Sequence, residues 1–106
     1  MDYEELTELT AQYIGITDQS MMIELRHFVQ TAVELCTMQT GQTDFTTSET
    51  AKQWVMYSAA NMYADRFGEL NNKEGSATAR LMQNLTFALQ QKNRRKAVDI
   101  ENSDNS

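Results

Sequence analysis

Proline is absent from all 106 residues. Its ring removes a backbone donor and clashes with the preceding turn, so a chain without it meets no such obstacle to being helical throughout. Cysteine occurs once, as Cys36, which excludes an internal disulfide and leaves no second thiolate for a metal cage. Histidine also occurs once, as His27, and tryptophan once, as Trp54. The four glycines (Gly15, Gly41, Gly68 and Gly75) stand apart from one another, so there is no Gly-rich phosphate loop. No apolar run approaches the ~20 residues that span a bilayer. The acidic start, MDYEELTEL, lacks the basic and apolar segments of a secretory signal. The expectation is a soluble, intracellular chain of one domain with one modest core.

Basic residues are scarce in the first half. Residues 1–51 carry nine acids and one base, Arg26; residues 52–96 carry three acids and eight bases; residues 97–106 carry three acids. The formal net charge is −6. Such a division favours head-to-tail contact between copies, the acidic half of one against the basic half of the next. Neutralisation between helices of one subunit accounts for it equally well. Net acidity argues against a general nucleic-acid binder, whose footprint is basic.

What is present reads as four helices. Residues 2–14 place Tyr3, Leu6, Leu9 or Thr10, and Tyr13 at helical spacing, with Asp2, Glu4 and Glu5 where the helix dipole favours acids. Gly15 suits the position just past the helix end. Thr17 or Asp18 caps a second helix running to about Gln39, with Ile16 as a hydrophobic staple. Its stripe is Met22, Leu25, Val29, Ala32 and Cys36, with Met21, Phe28 and Leu35 alongside, a face wide enough to pack on two neighbours. Gly41 closes it, and Phe45 anchors the polar linker that follows. Thr46 and Glu49 have capping-box spacing and open the third, central helix, TTSETAKQWVMYSAANMYADRF. There Ala51, Val55, Ala59 and Met62 form one stripe beside Trp54, Tyr57 and Ser58. After a polar loop at 68–75, Ser76 caps a fourth helix from Ala77 to about Lys92, with Thr78, Leu81, Met82, Leu85, Ala88 and Leu89 on its stripe. No apolar periodicity follows Leu89. The all-α class therefore divides into a helical bundle at 1–91 and a C-terminal tail at 92–106, disordered alone.

Catalytic chemistry finds little support in these residues. Glu24 and His27 have the E-x-x-H spacing that builds di-iron bundles in pairs, but no second histidine exists. Cys36 lies on an apolar stripe, where an inert buried thiol is the ordinary outcome. The expectation is no enzyme, no cofactor and no metal. The methionines at 21, 22, 38, 56, 62 and 82 read as core filler, with a promiscuous groove as the alternative. The cluster Lys92, Arg94, Arg95 and Lys96 suits phosphates, acidic protein groups or the C-terminal dipole of a helix. Asp65 and Arg66 are either a surface charge pair or a contact with a neighbouring subunit.

Two segments together resemble a family. Residues 9–41 carry an early short helix and then IGITDQSMMIELRHFVQTAVELCTMQTGQ. This is similar to the opening of tailed-phage head–tail connector proteins, where a hydrophobic-x-hydrophobic-Thr/Asp turn leads into a long helix ending near Thr-Gly. The segment TAKQWVMYSAANMYADRFGE resembles the family's second hallmark, with Lys52, Ala59, Tyr63 and Arg66 at the matching positions. Thr46-Thr47-Ser48 stands where the family has proline, Met38-Gln39 where it has an aromatic, and Glu69 holds a displaced acid. The resemblance implies a structural adaptor forming a homo-oligomeric ring, commonly of about twelve copies, beneath the portal protein in the virion neck. It would be assembled in host cytoplasm and would bind the next connector, stopper or tail-terminator protein. DNA would pass through it without sequence-specific binding, and no membrane is involved. The tail would order on docking, which makes Lys92, Arg94, Arg95, Lys96, Val98 and Ile100 the partner-binding candidates. Trp54, Tyr63, Asp65 and Arg66 would serve subunit contact or helix packing. A small helical regulatory module that binds a protein or nucleic acid is the alternative.

Overall fold

A computed structural model of the chain describes residues 3–67 and 80–95. The described residues are all α-helix and connecting turns, with no strand among them. Helix α1 spans Tyr3–Ile14, α2 Gln19–Thr40 and α3 Glu49–Phe67, and α4 covers residues 80–95. The first three pack on one another in every pairing. Helices α2 and α3 both also meet α4, so the central place expected of α3 is shared with α2.

Helix α1 buries Leu6, Thr7, Thr10 and Ala11. Thr10 rather than Leu9 is the inward residue, and Tyr13 lies outside the core, edge-on to Tyr57 with ring centroids 5.3 Å apart. Threonine is admitted to the core because its hydroxyl bonds the carbonyl four residues back, leaving a methyl to pack. Thr7 donates to the Tyr3 carbonyl at 2.6 Å and Thr10 to that of Leu6 at 2.7 Å. Gly15 follows with φ +90°, and its amide donates to the Ala11 carbonyl.

Asp18 is the cap of α2: its carboxylate accepts from the Ser20 amide at 3.0 Å. That bond also holds the Asp18 carboxyl below its ordinary pKa. Leu25, Val29, Ala32 and Cys36 are fully buried, as the spacing predicts, while Met22 is at the edge of the core. Ile16 packs against the same cluster as Met22, but with Asp18 as the cap the staple position falls on Thr17. Gly41 closes α2 at φ +76°, its amide bonded to the Thr37 carbonyl. A left-handed residue there satisfies an otherwise orphaned carbonyl.

The linker is pinned at several points. Phe45 is buried in the main core, which makes it the expected anchor. The start of α3 differs from expectation. Thr46 does not cap it. The Asp44 carboxylate accepts from the amides of Thr46 and Thr47 and from the Thr47 hydroxyl, which holds both threonines in a turn. Ser48 becomes the cap, its hydroxyl accepting from the Ala51 amide at 3.2 Å. From there Ala51, Trp54, Val55, Ala59 and Tyr63 turn inward, and small side chains at 51 and 59 let neighbouring helices approach closely.

Helix α4 continues to residue 95, so residues 92–95 are helical rather than the beginning of a tail. Its docked line is Met82, Thr86, Leu89 and Asn93, stepping by four, three and four. Ala88, expected on the apolar stripe, faces outward. The loop at 68–75, the Ser76 cap, Ala77, Thr78 and residues 96–106 lie outside the described residues.

Candidate interaction surface

Of the four α3 residues expected in subunit contact or helix packing, Trp54 and Tyr63 are internal, and Asp65 and Arg66 are exposed. Trp54 is 2 % exposed, and its indole Nε1–H donates to Thr86 Oγ1 at 2.8 Å. Tyr63 is buried with Ala11 and Leu25. Arg66 pairs through Nε with Glu24 of α2 at 3.4 Å, while Asp65 is exposed. Lys52 lies between Glu5 of α1, at 3.8 Å, and Glu49, at 3.6 Å. Lys52 and Arg66 therefore both neutralise acids of the first half within one chain. Exposure limits what such pairs contribute to stability, Arg66–Glu24 most of all.

The basic end of α4 is different. Lys92, Arg94 and Arg95 are exposed, and Lys92 is close enough to Asp44 to lower that carboxyl's pKa slightly. Arg80, Arg94 and Arg95 make no ion pair among the described residues. The described part of α4 holds four cations and no carboxylate. It is held at the end of α2 by two amide side chains. Gln90 Nε2 donates to the Gln39 carbonyl at 2.9 Å. Asn93 Nδ2 donates to the Thr40 carbonyl at 2.9 Å and to Gln42 Oε1 at 3.1 Å. Neither contact was signalled by hydrophobic spacing, because both residues are polar. Lys96, Val98 and Ile100 lie outside the described residues.

Beside this end runs a groove of about 450 Å³ between α2, α3 and α4. Leu35, Trp54 and Met82 supply apolar lining, and Phe87 stands at its side, 63 % exposed. The amides of Gln39 and Gln83 also line it. A second groove, of about 460 Å³, lies between α1 and α2, with Glu4, Glu8, Ile23 and Arg26 on its walls. Met38, one of the methionines expected to fill the core, is 81 % exposed on α2.

Among the described residues there is no cluster of three or more His, Cys, Asp or Glu side chains able to hold a metal ion. His27 is exposed, and its neighbour Glu24 is engaged by Arg66. Cys36 is fully buried with Sγ 3.6 Å from Thr40 Oγ1, and burial pushes its thiol pKa up, away from the reactive thiolate. No helix of the described residues is long and apolar enough to cross a membrane. The described surface carries a cation-rich helix end on α4, an apolar groove beside it and an acid-rich α1. No protein-family model, curated protein or solved structure matches the chain.

Proposed function

We propose that this chain is a structural adaptor that assembles from copies of itself into a ring at the head–tail junction of a tailed phage, joining the portal to the next neck or tail protein. The observation that supports this reading best is the separation of charge by helix. Residues 3–67 hold nine acids and three bases, and residues 80–95 hold four bases and no acid. Among the described residues the ion pairs use Lys52 and Arg66, and none involves Arg80, Arg94 or Arg95. A basic surface that the described residues do not neutralise suits a heterologous contact, in which one face of each subunit meets a different face of the next. Such contacts close into rings when the rotation closes. The resemblance at Lys52, Ala59, Tyr63 and Arg66 supplies the particular assembly.

The packing of α3 changes how that resemblance is read. Ala59 and Tyr63 are core residues, and Lys52 and Arg66 bridge helices. These four positions hold the fold, and the recognition falls to α4 and the residues after it. Acidic helices α1 and α2 would repel DNA in a channel, so that it passes without adhering.

Sedimentation across protein concentration and salt, with electron microscopy of the largest species, tests the proposal. A concentration-dependent ring that dissociates at high salt supports it. A strict monomer or dimer that binds duplex DNA with a steep salt slope would replace it with a basic regulatory module.

A further inference from the structure

We infer that the outer face of α4 of one copy seats across the groove between α1 and α2 of a second copy, with Phe87 against Ile23 and with Arg94 and Arg95 against Glu4 and Glu8. The inference deepens the ring proposal, and rests on it for the identity of the partner. Arg80, Phe87 and Arg94 recur every seven residues, and a helix drifts only about 20° over seven, so the three form one stripe. All three are exposed, in steps of about 10.5 Å along the helix. On the receiving side, Glu4 and Glu8 stand on the α1 wall of the groove, and Met22, Ile23 and Arg26 on the α2 wall. Ile23 is 70 % exposed. Packed helix axes lie roughly 8–10 Å apart. A helix laid across the groove therefore covers one step of the stripe from wall to wall, the phenyl group on Ile23 and the guanidinium groups over the carboxylates. Glu4 and Glu8 are about 6 Å apart along α1, a spacing that two adjacent arginines can meet. Arg26 then faces the Phe87 ring, a favourable contact for a cation, rather than another guanidinium.

Charge and reach commit this groove to another copy. Of the acids in the described residues, Glu5 and Glu49 meet Lys52, Glu24 meets Arg66, Asp18 caps α2 and Asp44 holds a turn. Glu8 makes no ion pair among the described residues, and it shares the groove with Glu4. The described part of α4 has cations and no acid, and Phe87 is its exposed large apolar side chain. The chain's own α4 is out of reach. Phe87 lines a groove with Leu35 and Gln39, and Asn93, next to Arg94, is bonded to Thr40. Ile23 lies twelve residues of α2 before Leu35, about 18 Å away along the helix. The two faces are different faces of one subunit, so a copy whose α4 is docked still offers its own groove. Such a contact passes from copy to copy, as a ring requires.

Charge exchange in the full-length chain tests this. Glu8→Arg or Arg94→Glu alone should weaken self-association in sedimentation at least about tenfold, because like charges then face each other across the contact. The two together in one chain put opposite charges back at every contact, and should return association to within about threefold of the wild type. Glu34→Arg is the control, since Glu34 is exposed on α2 and outside the groove. Joined to Arg94→Glu it restores the net charge equally, but it should not restore association. Recovery with Glu34→Arg as complete as with Glu8→Arg would overturn the inference, because net charge alone would then be responsible.

Disulfide trapping places the apolar half of the contact. Phe87→Cys in one chain and Ile23→Cys in another are mixed in oxidised glutathione, and Cys36 stays out of the reaction because it is fully buried with a raised thiol pKa. The mixed-chain disulfide should form at least about tenfold faster than between Phe87→Cys and Met38→Cys, since docked surfaces have a high effective concentration. Met38 is 81 % exposed and outside the groove, so equal rates would overturn the inference. A wild-type chain that stays monomeric at every concentration removes both the ring and this contact. An oligomer indifferent to Glu8→Arg and to Arg94→Glu keeps the ring and removes this contact alone. Arg94→Glu that spares self-association but abolishes binding of duplex DNA assigns the face of α4 to nucleic acid instead.

Discussion

Thr86→Val isolates a hydrogen bond on which the seating of α4 depends. Valine keeps the β-branch and nearly the volume of threonine, so the packing around Met82 and Leu89 is retained. What it removes is the acceptor of the Trp54 indole N–H, now 2.8 Å away, inside a ring that is 2 % exposed. A buried donor left without a partner costs about 1–3 kcal/mol. The second bond of the hydroxyl, to the Met82 carbonyl at 2.7 Å, is also lost. That carbonyl has the helix ladder to fall back on, so its share is small. Trp54→Phe removes the donor instead, and there the Thr86 hydroxyl keeps Met82 as its partner. Its cost is one net hydrogen bond, about 0.5–1.5 kcal/mol, plus the area lost in going to a smaller ring.

The double variant Trp54→Phe/Thr86→Val leaves no polar group stranded. Its cost should therefore fall short of the sum of the two single costs by about 1 kcal/mol or more. Urea unfolding followed by far-ultraviolet circular dichroism is the assay, because Trp54→Phe removes the sole tryptophan. With slopes of about 1–3 kcal/mol/M, the Thr86→Val midpoint should fall by roughly 1 M. A loss under about 0.5 kcal/mol, with additive single effects, would show that the indole finds water. The seating of α4 against Trp54 would then be wrong.

Asn93→Ala should cost about 1–2 kcal/mol in the same assay, because it strips a shared donor from the Thr40 carbonyl and Gln42 Oε1 at the end of α2. Gly41→Ala should cost about 1 kcal/mol, read as a fall in melting temperature. The added Cβ meets only Asn93 Cβ at an ordinary 3.9 Å, so the cost comes from a φ of +76° that L-residues resist. The Asp44 carboxyl should titrate near 2 in a side-chain NMR titration, against an ordinary value of 3.8. It is held down first by the Thr47 hydroxyl, then by the amides of Thr47 and Thr46, and last by Lys92. A folded pKa below the unfolded one means that the turn's contribution is present above about pH 4 and is lost as pH falls toward 2. A midpoint at or above 3.8 would remove those bonds.

Where burial coincides with apolar spacing, the fold was legible in the residues. Leu25, Val29, Ala32 and Cys36 are inside because their steps follow one helix face, and Asp18, Gly15 and Gly41 mark ends by local chemistry alone. Where polar residues do the packing, it was not. Thr7 carries α1 into the core beside Thr10, which the spacing offered as one of two choices. Thr86 and Asn93 carry α4 against its neighbours. Thr7, Thr86 and Asn93 count as polar in a search for apolar stripes. The docked line of α4 therefore vanishes from hydrophobic spacing after Leu89, although the helix runs on to residue 95. The cap of α3 failed for another reason. Thr46, Thr47 and Ser48 are all competent caps, and the choice was made by Asp44, which holds the first two in a turn. The candidate surface was half visible: its basic residues could be read in order, whereas the groove beside them exists only once three helices are assembled.

That α4 docks along a line half apolar and half polar bears on what its outer side can do. Apolar contact is non-directional, so a helix seated on leucines alone can rotate by some degrees at little cost. Hydrogen bonds have narrow angular wells, and those from Trp54, Gln90 and Asn93 to partners on neighbouring helices fix α4 at several points along its length. Among the described residues no buried side-chain nitrogen or oxygen is left without a partner, so this specificity carries no stranded polar group. The rotation so fixed leaves Phe87 63 % exposed beside the groove and Arg94 and Arg95 in solvent. An exposed phenylalanine held by a polar lock contributes little to the isolated fold. On a docking surface the same rigidity reduces the ordering cost of association, because the wall is already in place when a partner arrives. The polar stripe that hid α4 from the sequence pattern is thus the feature that makes its outer face a preformed surface.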